Sequence, residues 1–441
     1  MQVLKKINII LLCLLFCNCS FMQKSDSQSF FGWPYVGRSA APVKVVESTD
    51  YSHVDLGNAE SFRVAMLLPL SGSVSAMGQN MKNAAMMAIG DINNEHLVLQ
   101  FYDTKGTSSG ARVAFENAMN AHSRLILGPL LADEVAAISS EAKARDIPVV
   151  SFSTSPAVLQ DGIYSLGILN DDQIKNIIRF AAGQGRKRIA AVLPDNQSGL
   201  NMFTSLMRAA RRNGVQLTKV GFYRPDSMDF TSLVTSMTGS SSKTSDHERD
   251  FGFDALLVPE SGNRLKSITS MFSYYDVSAP QVLFMGTSVW ANTGLSKETE
   301  LYGAVYPVVP LSRLDNFNQK YAELFASRPN GLSVFAYDAV MMASALSTKN
   351  PAYLKEEIVR TAGYNGMSGT FRILPNGLNE HGLDIVRVTS GGEQIVESAQ
   401  NRFYGTAGED TDYIDNAYAY EMPIIYGKDS NALRQIMYGM Q

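Results

Sequence analysis

The chain has 441 residues, of which 45% are hydrophobic and 18% charged, and its formal net charge is −4. That length exceeds one ordinary core and the composition excludes a disordered chain, so two packed units are expected. A charge this near neutral, with no Lys/Arg-rich run, excludes the electrostatic footprint of a nucleic-acid binder.

All three cysteines, Cys13, Cys17 and Cys19, lie at the amino end. Lys5 and Lys6 precede the apolar run 7–16 (INIILLCLLF), which has the length of a secretory signal and is too short to span a bilayer comfortably. Phe16-Cys17-Asn18-Cys19 is similar to a bacterial lipobox, which implies loss of residues 1–18 and acylation of Cys19. Acylation of Cys17, an ordinary secretory cut or an uncleaved anchor are the alternatives. Ser20 in place of Asp after Cys19 implies, by the same resemblance, the periplasmic side of the outer membrane. One acylated cysteine carries more than one chain, enough for stable anchoring. Residues 19–61 are rich in Ser, Gly, Pro and polar residues and read as a flexible tether. Beyond Cys19 no cysteine remains, so the body has neither disulfides nor thiolate metal sites.

The body opens with FRVAMLLPLSG (62–72), an apolar run that stops at a Ser-Gly turn. Such a run suits a strand buried on both faces of a parallel sheet. Strands are predicted at 62–69, 97–103, 123–128, 147–152 and 163–168, with helices at 75–93, 108–121, 132–145 and 170–184. On the second helix Val113, Phe115, Ala118 and Met119 have the spacing of a core-facing stripe. A second series follows: strand 189–194, helix 199–213, strand 215–223, helix 229–238, strand 254–259, helix 262–274 and strand 281–286. The stretch 240–250 reads as a surface loop, 334–347 as a long helix, and 367–396 as a hairpin-like pair with Pro-Asn-Gly and Gly-Gly turns. The Met-rich segments 85–89 and Met341-Met342 read as core filler. After about residue 400 a Tyr-rich tail reads as a strap on the body. Right-handed crossovers make this an α/β fold of two doubly wound lobes.

Several stretches, in this order, resemble the type I periplasmic-binding proteins of the leucine/isoleucine/valine-binding superfamily: LLPLSGSVSAMGQNMKNAAMMAIGDIN, FYDTKGTSSGA, LILGPL, IPVVSFSTSP, FAYDAV and SGTFRILPNG. The resemblance covers about 62–398, and LLPLSG and LGPLLADEV with the lipoprotein signal look most like the penicillin-binding-protein activator lipoproteins. The amino-terminal helical-repeat domain of the best-known activators has no room here. The resemblance implies a lobe I of 62–185 plus 331–366, a lobe II of 186–330 plus 367–398 and a tail 399–441, with crossings near 185, 330 and 370. Such lobes close on a ligand by hinge motion.

Candidate ligand residues sit at the strand ends that face the cleft. Ser71, Gly72, Ser73 and Ser75 follow the first strand, and Ser153, Thr154 and Ser155 the fourth. Their hydroxyls and N–H groups suit an anionic group, and the same residue types suit helix capping. In the second lobe Asn196, Gln197, Glu260 and Ser261 follow strand ends, after Asp195. The resemblance gives Glu260 the role of pairing a ligand ammonium, with a solvated carboxylate as the alternative. It places Ser198 where amino-acid-binding relatives carry an aromatic residue. Tyr337 either lines the cleft or packs in the core. The histidines are scattered and no catalytic or phosphate-loop motif occurs. The reading is therefore a non-catalytic chain without metal or cofactor. Two functions are expected, in this order: a lipid-anchored activator or scaffold of a peptidoglycan synthase, and a receptor handing amino acids or related small molecules to the permease of an ABC importer.

Overall fold

Two apolar strands organise the chain. In β2 (Phe62–Leu68), Val64, Met66 and Leu68 enter one core while Ala65 and Leu67 enter another on the opposite face. In β7 (Arg188–Pro194), Ile189, Ala191 and Leu193 alternate in the same way with Ala190 and Val192. Both runs are continuous in sequence because both faces of each strand are covered, at about 1.5–3 kcal/mol for each large side chain buried.

The computed structural model describes residues 45–46, 61–92, 94–239, 249–291, 293–403, 422–430 and 433. All lie in the second of two compact units, Ala40–Gln441. The signal, Cys19, loop residues 240–248 and tail residues 404–421 lie outside the described residues, as does the tether apart from β1 (Val45–Val46) and residue 61.

Chain order in the first lobe is β1, β2, α1 (Ser75–Asp91), β3 (Leu97–Asp103), α2 (Ser108–Asn120), β4 (Leu125–Leu127), α3 (Ala132–Ala144), β5 (Val149–Ser151) and β6 (Ile163–Ser165). The sheet is parallel, in the order β1-β3-β2-β4-β5-β6. Next come α4 (Asn170–Gly183), β7, α5 (Gln197–Arg212), β8 (Gln216–Tyr223), α6 (Thr231–Thr238), β9 (Ala255–Leu257), α7 (Gly262–Tyr274), β10 (Leu283–Met285) and β11 (Val305–Val308). After these, α8 (Leu311–Phe325), α9 (Ser333–Leu346) and α10 (Leu354–Ile358) precede a small antiparallel sheet of β12 (Tyr364–Gly366), β13 (Gly369–Ile373) and β14 (Asn379–His381). A hairpin of β15 (Asp384–Thr389) and β16 (Gly392–Glu397) and the tail strand β17 (Ile424–Tyr426) complete the second sheet, in the order β16-β15-β11-β10-β9-β7-β8-β17. Within each sheet five parallel strands, β2 to β6 and β7 to β11, repeat the order 2-1-3-4-5, and β15 and β16 add antiparallel strands to the second. Among the described residues no helix is long and apolar enough to cross a membrane.

The core reassigns three expected boundaries. Ile174, Ile177, Ile178 and Phe180 of α4 share the core of β7 and α5, whereas Phe317 and Tyr321 of α8 share that of α1 and α9. Tyr364, Phe371 and Leu383 also belong to the first lobe, and Ile385 to the second. The chain therefore crosses at 166–169, 309–310 and 382–384 rather than near 185, 330 and 370. A helix between two sheets carries no sequence mark of which sheet its apolar face meets. On α2 the core face is Ala111, Ala114, Phe115 and Ala118, and Val113, expected inside, is 62% exposed. Two residues from Phe115 is about 200° around a helix. Ala85, Met87 and Met342 are buried, with Met86 and Met341 packed beside them.

Close contacts also fix the strand–helix junctions. A Cβ on Gly78 would lie 2.1 Å from the Pro69 carbonyl oxygen, and one on Gly199 1.8 Å from that of Pro194. Each helix thus starts in contact with the end of its strand.

Buried carboxylates tie the crossings together. Asp384 accepts the Leu311 N–H (3.0 Å) and the Ala399 N–H (2.7 Å), and Asp172 accepts the His381 N–H (2.9 Å). Around them Glu380 pairs with Arg372 (2.5 Å) and Lys175, and the Gln173 side-chain oxygen Oε1 accepts the Ser288 N–H (2.6 Å). Asp384→Ala leaves two backbone donors without their acceptor. At about 1–3 kcal/mol for each of the two, a loss of roughly 2–6 kcal/mol is expected in urea unfolding. Burial pushes Asp172 up to about 8, above the roughly 3.9 of an unfolded Asp. Between those values the folded chain holds a proton that the unfolded chain has released, so stability falls as pH rises through the window. Asp172→Asn, uncharged throughout, is expected to flatten that slope in urea titrations from pH 4 to 8.

Candidate functional site

In a sheet of order 2-1-3-4-5 the crevice opens beyond the carboxyl ends of the strands where the order reverses. That places one crevice between β2 and β4 and another between β7 and β9. Their rims are the segments 69–75 and 128–131 in the first lobe, and 195–198 and 258–261 in the second.

Asp103, at the end of β3, shapes the first rim. Its carboxylate accepts the N–H groups of Leu70 (2.9 Å), Ser71 (3.1 Å) and Lys105 (2.8 Å) and the Ser71 hydroxyl (2.6 Å). Burial alone would raise its pKa, but these four donors hold it below the usual carboxylate range. Gly72 has φ 86°, and a Cβ there would lie 2.6 Å from the Lys105 carbonyl oxygen, so only glycine lets the two loops meet. Ser73 is exposed and Ser75 half-buried, and neither caps α1, whose N-cap is Val74 without a side-chain bond. Ser153 is buried, its hydroxyl accepting the Ser155 N–H (3.2 Å), while Thr154 is exposed.

On the second rim Asn196 is a helix cap, accepting the Gly199 N–H at 3.0 Å, and Gln197 donates to Asn201 (3.0 Å). Glu260 is neither solvated nor unpartnered: it accepts the Tyr223 hydroxyl and lies 3.5 Å from Arg264. Burial first, and Glu260 second, raise the Tyr223 pKa, which keeps the phenol a donor. The Arg264 guanidinium also donates to the Pro225 carbonyl (2.7 Å) and stands 5.7 Å from the Tyr223 ring centroid. Ser261 is the exposed N-cap of α7, with no cap bond. Tyr337 lies apart from both rims. Its ring meets Phe317 edge-on at 6.0 Å and its hydroxyl donates to Asp91 (2.7 Å) inside the first lobe.

Sequence reasoning missed Asp103, Tyr223, Arg264 and Lys428, which pairs with Asp195. Asp103 stood in the quoted FYDTKG stretch and Tyr223 at the end of a predicted strand. Nothing in one dimension brings Arg264 or Lys428 to a rim. His381 is a neutral core residue, pushed down to about 3 by burial and within 3.2 Å of Asn379. Among the described residues no cluster of three or more His, Cys, Asp or Glu could hold a metal ion.

Comparison with known proteins gives a match to a family model, described as periplasmic binding protein, over residues 61–393. An uncharacterized Rickettsia prowazekii protein, RP748, is 23% identical over 164 residues, which are 37% of this chain and 44% of that protein. The chain thus spans less than half the length of that curated relative. A Rhodospirillum rubrum structure assigned as a branched-chain amino acid ABC transporter superposes with TM-score 0.67 at 16% identity, covering 76% of this chain and all of the other (100%). The branched-chain amino acid substrate-binding protein LivJ of Streptococcus pneumoniae, solved with isoleucine, gives TM-score 0.54 at 16% identity over 77% and 99% of the two chains. At these identities the structures show the fold.

Asp103→Ala is expected to cost about 1–3 kcal/mol, the scale of leaving donors unpaired. Because the folded pKa is depressed, the carboxylate's contribution is present above roughly pH 3.9 and is lost as pH falls further. Acid unfolding of Asp103→Asn, followed by circular dichroism, is expected to show less stability loss below pH 4 than wild type.

Proposed function

The chain belongs to the periplasmic binding protein family, and from that membership we propose that it is a solute receptor of an ABC importer, working outside the inner membrane. The observation that carries this reading is the repeated 2-1-3-4-5 sheet, with a crevice in each lobe and three tied crossings between the lobes. Two such halves can hinge over a small molecule and bind it without chemistry. This reverses the order expected from sequence, because the named transporter structures favour the receptor over the synthase activator.

In this reading Gly72, Ser73 and Ser75 with Ser153, Thr154 and Ser155 offer donors from the first lobe, and Ser71, whose N–H and hydroxyl both go to Asp103, holds the loop in place. Asn196, Gln197 and Ser261 face them from the second. Glu260 acts inside the Tyr223–Glu260–Arg264 group, so it contributes a hydrogen-bonded wall in place of a free countercharge. Acylation at Cys19 would hold the receptor at a membrane surface, and fractionation of the lipidated protein reports which one.

Thermal denaturation with a panel of leucine, isoleucine, valine and short aliphatic and aromatic carboxylates tests the reading. A binder present at a hundred times its Kd adds about 2.7 kcal/mol of stability, so a concentration-dependent rise in Tm is expected for at least one class. A flat response across the panel, with retention of a peptidoglycan synthase in a pull-down, overturns the receptor in favour of the activator.

A further inference from the structure

The described part of the carboxyl-terminal tail lies beyond the family match, which ends at residue 393, yet it is built into the second lobe. β17 joins the edge of β8 in parallel, Ile424 opposite Lys219 and Tyr426 opposite Gly221. Leu433 is fully buried in the core of α4, α5 and β7, with Met422 and Ile425 packed against it. Tyr426 packs against the opposite core. Gly427 turns the chain at φ 75°, where a Cβ would lie 2.0 Å from the Phe222 carbonyl oxygen. The tail is therefore an integral edge of the sheet.

Direction matters here. Because β17 runs parallel to β8, its carboxyl end arrives at the same rim as Tyr223 and Asp195. There Lys428 pairs with Asp195 while its ammonium stands 5.7 Å from the Phe222 ring centroid. Asp195 is the first residue past β7, in the segment 195–198 that borders the crevice between β7 and β9, and its carboxylate turns toward the tail strand. The other carboxylate of that rim, Glu260, has Arg264 beside it. The rim is thus charge-balanced, and half of the balance for Asp195 comes from the tail.

We propose that Lys428 is a specificity-setting residue of the solute site, supplied by the tail strand, which acts through Asp195 to let the second lobe close over a solute bearing a carboxylate. The proposal rests on the receptor reading above. An uncompensated Asp195 would repel an anionic solute and leave a neutral one unaffected. The first-lobe rim agrees with this choice, since it presents the uncapped start of α1 and exposed Ser73, while the carboxylate of Asp103 is already met by four donors and that of Glu134 by the Leu131 N–H.

Isothermal titration of the full chain with isoleucine, or with the panel carboxylate giving the largest thermal shift, is compared with titration of its primary amide. Lys428→Met is expected to weaken the carboxylate about tenfold relative to the amide, and Lys428→Arg to retain wild-type discrimination. Asp195→Asn, which leaves Lys428 uncompensated, is expected to shift preference toward the carboxylate, and the double variant Asp195→Asn/Lys428→Met to return it to near wild type. Melting temperatures of the free variants separate loss of fold from loss of discrimination, and Asp195→Asn tests the idea if Lys428→Met does not fold. Equal weakening of both probes in Lys428→Met, or an unchanged carboxylate-to-amide ratio in both single variants, overturns this proposal and leaves the receptor standing. A wild-type chain that binds neither probe overturns both.

Discussion

A few buried carboxyl groups accepting backbone N–H groups tie the two sheets of this chain together. Asp384, at the third crossing, takes the N–H that opens α8 at the second crossing and the N–H of Ala399. Asp172, just after the first crossing, takes an N–H from β14, which belongs to the small sheet packed on the first lobe. Every residue but proline carries a backbone N–H, so a carboxyl group set among such donors fixes strand against helix through most changes of the neighbouring side chains. Asp338 repeats the device within the first lobe, accepting the N–H groups of Met367 (2.7 Å) and Ser368 (2.8 Å). Burial holds that carboxyl up to about 6, against the pull of these donors.

Much of the architecture was legible because it depends on local pattern. The apolar runs at 62–68 and 188–194 are continuous, and every helix expected up to residue 274 was found within a few residues. What escaped lacks such a pattern. β11 contains Pro307, which masks a strand that is short and pairs antiparallel with β15. In α8 only Phe317 and Tyr321 are buried, so its periodicity is faint. The crossings were misplaced for a different reason. Which sheet a connecting helix covers is decided by tertiary contact, as the shared core of α4 and β7 demonstrates.

The rims divide along the same line. Serines and glycines at strand ends could be picked out in one dimension, since turns and helix starts demand those residue types. The charges that govern the rims come from far apart in sequence: Asp103 reaches back to Ser71, Arg264 crosses to Tyr223, and Lys428 returns to Asp195. Each is an electrostatic partnership that only the folded sheet order creates. The body itself runs on past the hairpin of β15 and β16, because the tail supplies an edge strand and the buried Leu433.

The glycines at the strand–helix junctions carry a wider consequence. With Gly78 against the Pro69 carbonyl and Gly199 against that of Pro194, the start of each helix is held to the end of its strand by main-chain contact, which no exposed side chain of the rim disturbs. Those side chains are left at liberty to vary while the scaffold that aims them stays put. The strictest limit on change at these junctions therefore falls on two residues that carry no side chain at all.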